Sequence, residues 1–184
     1  MNKPVDRSAA DVVAFWRDAG PDKWFAKDEG FDRAVAGRFG ALHAKASAGA
    51  KNDWAGSAEG ALALILLLDQ FSRNIHRGSA NAFAQDSMAR ETAGKAVDAG
   101  LDRAVDPQLR QFFYLPFMHS ESIVDQERCV CLCHGLPDPG TLPHALEHAR
   151  IIRRFGRFPH RNAVLGRHTT PAERAFLDGG GFAG

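Results

Sequence analysis

From Ala61 to Leu68 the chain runs eight residues without a polar side chain, then turns polar at once with Asp69-Gln70-Phe71-Ser72-Arg73-Asn74. The run lies inside a helix-length stretch from Ser57 to Ile75, and no segment of the sequence sustains period-two alternation with β-branched enrichment. A helix that is apolar on every face has to be surrounded by other elements. The expectation is therefore an all-α chain in which this third helix is the most buried element. The apolar run is far shorter than the roughly 18 residues that a membrane-spanning helix requires. It reads as a core helix, and no membrane association is expected.

Caps and stops mark the other helices. Ser8 with Asp11 opens a first helix carrying Val12, Val13, Phe15, Trp16 and Ala19, and Gly20-Pro21 ends it. A short irregular stretch around Trp24 and Phe25 follows. Phe31, Val35, Phe39 and Leu42 then recur at helical spacing until Gly49. After the third helix, Ser79 caps a fourth through Phe83, Met88, Ala93 and Val97 to Gly100. Asp106-Pro107 opens a fifth through Phe112 and Phe113, which Pro116 must kink or break. Helix resumes near Ser120 and runs to about His134, and Thr141 to Phe155 forms the seventh. Arg157 to Arg167 reads as an ordered loop, and Thr170-Pro171 with Glu173 caps a short last helix. About seven or eight helices joined by short loops imply antiparallel neighbours, in a bundle or an α-hairpin solenoid. At 184 residues the chain fits a single helical domain, 1–184, with 178–184 a glycine-rich and flexible tail.

Charge is nearly balanced, 23 basic against 22 acidic residues, so no global field draws in nucleic acid or an anionic surface, and no nucleic-acid partner is expected. The cysteines, Cys129, Cys131 and Cys133, are odd in number and too crowded to build a disulfide framework. The N-terminal residues lack the apolar stretch of a secretion signal. A cytoplasmic location is the expectation.

Three segments are unusually dense in polar side chains. In the first, Asp69 and Arg73 are one turn apart and can pair, as can Gln70 and Asn74. The second, His119-Ser120-Glu121, follows Pro116 and offers an imidazole and a carboxylate, the parts of general acid–base chemistry. The third, Arg150 to His168, holds Arg150, Arg153, Arg154, Arg157, Arg161 and Arg167 and no acidic residue. Arginine's planar fork suits carboxylate and phosphate, whether on a side chain or on a ligand. Unpaired buried charge is costly, so these arginines are expected to meet Asp69 and Glu121, joining the middle of the chain to its C-terminal loop. Two further patterns point to metal and are set aside. His144-Ala-Leu-Glu147-His148 matches an H-x-x-E-H zinc string that still needs a substrate cleft and a third ligand, for which Glu121 or Glu173 could serve, but so short a string on an amphipathic helix arises by chance. Of the cysteines only Cys129 and Cys133 share a helix face, which reads as buried apolar packing. No metal and no cofactor are expected.

The strings LLDQFSRNIHRG, FYLPFMHSE and IIRRFGRFPHRNAVLGR, in this order, resemble the bacterial family catalogued as domain of unknown function 924. The likeness extends to Phe15-Trp16, Trp24-Phe25, Phe31-Asp32, Trp54 and the ending from Thr170-Pro171 to Leu177, nearly the whole chain. It implies a tetratricopeptide-like α-α superhelix with no established activity. Asp69, Gln70, Arg73, Asn74, His119, Ser120, Glu121, Arg157, His160, Arg161, Asn162 and Arg167 match the family's polar positions, as does His148, whereas His144 and the cysteines do not. Met118 stands where the family pattern commonly has a carboxylate.

Two functions remain open on these residues, besides a purely structural polar network. One is a binding module that holds an anionic small molecule or an acidic peptide end among the arginines. The other is a hydrolase-like enzyme using His119, Glu121 or His160, with Asp69 as the orienting carboxylate.

Overall fold

The computed structural model describes residues 7–182, and among them there is no strand. Helix α1 (Ala9–Ala19) begins with a capping box in which Ser8 and Asp11 exchange side-chain and backbone hydrogen bonds, and Gly20 ends it at φ +73°. The aromatic stretch expected to be irregular contains a short helix, α2 (Pro21–Trp24), which proline opens at its first position. Helix α3 (Glu29–Ser47) is capped by Asp28. Rings of Phe15, Trp16, Trp24, Phe31, Phe39, Phe71 and Phe112 then interlock at centroid distances of 5.0 to 6.5 Å. They close one end of the main core.

The central rod is α4 (Ala58–Ile65) followed by a π-helical turn, Leu66–Phe71, and then α5 (Ser72–Ile75). All residues from Gly60 to Phe71 are buried, as their composition requires. Around it pack α1, α3 and α6 (Asp86–Asp98). Ser79 caps a single 3-10 turn, Ala80–Phe83, and the longer helix starts only at Asp86.

Two expectations about the next segment are corrected. No α-helix runs from Asp106 to Phe113; a turn and the 3-10 segment Arg110–Phe113 fill it. Pro116 breaks nothing, because it lies in the first turn of a new short helix, α7 (Leu115–Met118), where its missing N–H costs no bond. Helix α8 (Ile123–Cys133) starts three residues later than expected, since Ser120, Glu121 and Ser122 are used for other contacts. Helix α9 (Thr141–Phe155) packs along α8 and ends at Gly156, φ +70°. The loop after it makes a 3-10 turn, Pro159–Arg161, and α10 (Pro171–Asp178) packs on that turn behind a Thr170–Glu173 capping box. Ile151, Ile152 and Phe158 form a second, small apolar cluster with Ile123, Phe155, Phe176 and Phe182. Among the described residues no helix is long and apolar enough to cross a membrane.

Candidate functional site

Asp69 and Gln70 lie in the π-helical turn, a local widening of the helix that often accompanies functional residues. Asp69 is fully buried. One oxygen accepts from Arg73 at 2.9 Å and faces His119 Nδ1 at 2.8 Å, while the other accepts from Gln70 Nε2 at 2.5 Å. Burial alone would raise its pKa, but the Arg73 guanidinium and His119 hold the carboxyl far below the ordinary range. Burial and then Arg73 lower the pKa of His119, against the pull of Asp69. The imidazole is therefore neutral at pH 7 and donates Nδ1–H to the carboxylate. Among the described residues its Nε2 has no hydrogen-bond partner, and that atom keeps a lone pair free.

Arg73 reaches past Asp69 to Asp86, at the first position of α6, through two hydrogen bonds of 3.0 and 3.2 Å. Asp86 in turn accepts a longer, 3.4 Å contact from Arg161. Arg161 is 7 % exposed, and its guanidinium lies 4.5 Å from the Phe83 ring centre and 4.6 Å from that of Phe158. Among the described residues its Nε has no hydrogen-bond partner. Burial, then Arg73, pushes its pKa down to about 10, so it remains a cation at neutral pH. Asp69, His119 and Arg161 thus belong to one connected centre, through Arg73 and Asp86.

Glu121 does not join His119. Its two oxygens accept from Arg167 at 2.7 and 3.0 Å, and one also accepts the Phe158 backbone N–H at 2.8 Å. That clamp holds the Arg157–Arg167 loop against the start of α8. Arg157 pairs with neither expected carboxylate; it binds Glu173 at 2.6 and 2.9 Å, where Asn162 also donates at 3.3 Å. Ser120 donates to Asp125, which Arg90 meets at 3.3 Å. Asn74 does not pair with Gln70 but donates to Asp32, a separate site that Arg77 shares. Arg154 has no carboxylate among the described residues and stacks on Phe155 and Phe176 instead.

His148 and His160 flank the centre. Burial above all holds His148 down at about 4, and burial with Arg161 holds His160 at about 3. Both are uncharged at neutral pH. Their rings receive Phe182 at 4.5 and 5.1 Å. His144, exposed, contributes only its carbonyl, to His148 Nδ1 at 2.8 Å. No group of three or more His, Cys, Asp or Glu among the described residues is placed to hold a metal ion. Cys129 and Cys133 are buried with sulfurs 3.8 Å apart, and Cys131 is exposed.

Sequence reasoning missed Asp86, Phe83 and Glu173. Asp86 and Phe83 precede or open a helix that looked like ordinary core, and Glu173 looked like a cap or a spare metal ligand, not a partner for Arg157. Grooves indent the surface without reaching the polar centre. One, about 480 Å³, runs between α9 and the C-terminal residues and is lined in part by Arg150, Arg154, Phe155, Phe176 and Phe182. Another, about 440 Å³, lies between α3 and the Asn81–Gln85 segment, beside His43 and His76. Neither is lined by Asp69, His119 or Arg161.

Comparison with known proteins adds a family and a fold but no activity. A solved structure of a protein of unknown function from Agrobacterium tumefaciens is 50% identical, with a TM-score of 0.90, covering 93% of this chain and 97% of the other. No curated protein matches. The profile of a bacterial protein family of unknown function, DUF924, matches residues 12–181, which include every polar residue of the centre, and the chain belongs to that family.

Proposed function

We propose that this domain binds a small anion, a carboxylate or a phosphate, at the centre formed by Arg161, Arg73 and His119. One observation carries the reading: Arg161 is buried and charged, yet among the described residues its only carboxylate contact is a 3.4 Å approach to Asp86, whose two oxygens already serve Arg73. Buried cations are ordinarily met by close, preferably bidentate, anions. Arg167 with Glu121 and Arg157 with Glu173 are satisfied in that way, and Arg161 is not. The tetratricopeptide-like hairpins implied by the family resemblance suit a domain that works by binding.

The test is calorimetric titration of inorganic phosphate, at millimolar concentrations, into the full chain and into Arg161→Met, which keeps the length of the side chain and removes its charge. Phosphate should bind the native chain and not the variant, and the variant should be no less stable to urea. Equal binding by both proteins, or by neither, would overturn the reading.

The Asp69–His119 pair favours a second reading. A neutral imidazole oriented through Nδ1 by an ionised, buried carboxylate, with Nε2 free, has the arrangement of a general base. If it acts as one, the chain hydrolyses a phosphomonoester such as p-nitrophenyl phosphate, and His119→Asn, which retains the bond to Asp69, abolishes turnover while weakening phosphate binding less than Arg161→Met does. An absence of turnover in the native chain excludes that activity.

A further inference from the structure

Phe182 is shared between two surfaces of the molecule. It lines the groove beside α9, and it also packs against His148 and His160. The chain reaches this position through three glycines, Gly179 to Gly181. Gly180 takes φ +78°, a conformation that side-chain-bearing residues rarely adopt. At Gly181 a Cβ would come within 2.5 Å of the Phe176 carbonyl oxygen and 2.6 Å of its ring. The path of the tail is therefore specified, and it ends by setting a phenyl ring in the slot between two imidazoles.

That slot has the properties of an aryl subsite. The imidazoles are uncharged at neutral pH, so they present aromatic faces and edges. The contacts at 4.5 and 5.1 Å are ones that any six-membered aromatic ring could make. Phe158 connects the slot to the cation, since its ring lies 5.4 Å from His148, 5.6 Å from His160 and 4.6 Å from the guanidinium carbon of Arg161. The adjoining groove, about 480 Å³, is of the size that holds small organic ligands. Along it Arg154 has no carboxylate partner among the described residues, while Arg150 is paired with Glu147.

We propose that the ligand is an aromatic acid whose ring replaces that of Phe182 between His148 and His160 and whose anionic group is received by Arg161. Access is along the α9 groove, and the C-terminal segment competes with the ligand for the slot. The inference rests on the anion-binding reading above and adds the chemical class of the ligand.

The experiment compares phenyl phosphate with inorganic phosphate by calorimetry on the native chain, Phe182→Ala and Gly181→Ala. The first variant empties the slot. The second keeps the ring but dislodges it, because the added methyl collides with Phe176. Both variants should bind phenyl phosphate about ten-fold more tightly than the native chain, a difference of about 1.4 kcal/mol. Inorganic phosphate should bind all three alike. Phenyl phosphate, but not phosphate, should shift the imidazole C–H proton resonances of His148 and His160 through its ring current. If inorganic phosphate binds but phenyl phosphate gains nothing in either variant, the aryl subsite is refuted and the anion site stands. If neither probe binds any of the proteins, the anion site itself is refuted, and the aryl subsite with it.

Discussion

Asp69 carries the heaviest electrostatic load of any single residue in the centre. Among the described residues it is the sole carboxylate contacted by His119, it shares Arg73 with Asp86, and it has no access to water. Changing it to asparagine removes the anion while Arg73 keeps Asp86 as its remaining carboxylate, so what is lost is the buried hydrogen bonding to a charged group, about 1.5–3 kcal/mol. Asp69→Asn is therefore expected to lower unfolding stability in urea by that amount. Glu121→Gln should lower it by only about 1 kcal/mol or less, since the Arg167 pair is partly solvated and exposed ion pairs contribute little. Equal losses for the two would show that burial is not what sets the cost. The Asp69–Arg73 pair was legible in the sequence because one helical turn separates the two residues, and the expected Gln70–Asn74 pair was not formed for a related reason. Helical spacing brings side chains within reach, but Asn74 finds Asp32 on α3 and Gln70 finds Asp69 next to it, and such tertiary partners leave no periodic trace.

At the scale of elements, the central rod shows how closely packing and conformation are matched. Gly60 sits in the first turn of α4 with its N–H donated to Ser57 Oγ, and a Cβ there would lie 2.2 Å from the Trp54 carbonyl oxygen. The backbone of the preceding 3-10 turn (Asn52–Gly56) can approach only because the side chain is absent. Gly60→Ala, which would favour an isolated helix, is expected instead to destabilise the protein by about 1–3 kcal/mol, the usual cost of overpacking; a rise in the urea midpoint would contradict this. The caps at Ser8 and Thr170 were readable because their chemistry is local. The π-helical turn at Leu66–Phe71 was not, since a run apolar on every face looks the same in either helical form. Pro116 was misread for want of context: proline is equally at home breaking a helix and opening one, and what decides is whether the N–H it lacks would have had a partner.

For the whole molecule, the polar residues fasten the C-terminal third to the central rod. Arg161 meets Asp86, Arg167 meets Glu121, and the neutral rings of His148 and His160 line the space between. The convergence of the three polar segments was legible because acid-free arginines next to a core need carboxylates. The identity of most partners was not legible, because it depends on which elements the fold places side by side. This junction should also be where acid acts first. His148 and His160, with Arg161 and His119 as charged or polar neighbours and Glu121 the nearby carboxylate for His160, have folded-state values of about 4 and about 3, against an ordinary value of 6.5. Their folded pKa values are depressed, so the stability that depends on keeping them neutral is complete above about pH 6.5. Below it the unfolded chain takes up protons that the folded chain refuses, and the loss grows until the pH reaches the folded values. Stability measured by urea unfolding should therefore fall between about pH 6.5 and about pH 4, by an amount on the order of a few kcal/mol, before ordinary carboxylates titrate. Asp69 and Glu173, both held below the usual carboxylate range, extend the loss to lower pH. Replacing both His148 and His160 by glutamine should flatten the upper part of the profile and leave the lower part in place. A native stability that stays constant from pH 7 to about pH 5 would mean that the two imidazoles accept protons without disturbing the junction, and that the C-terminal third is not held to the rod in the way its contacts indicate.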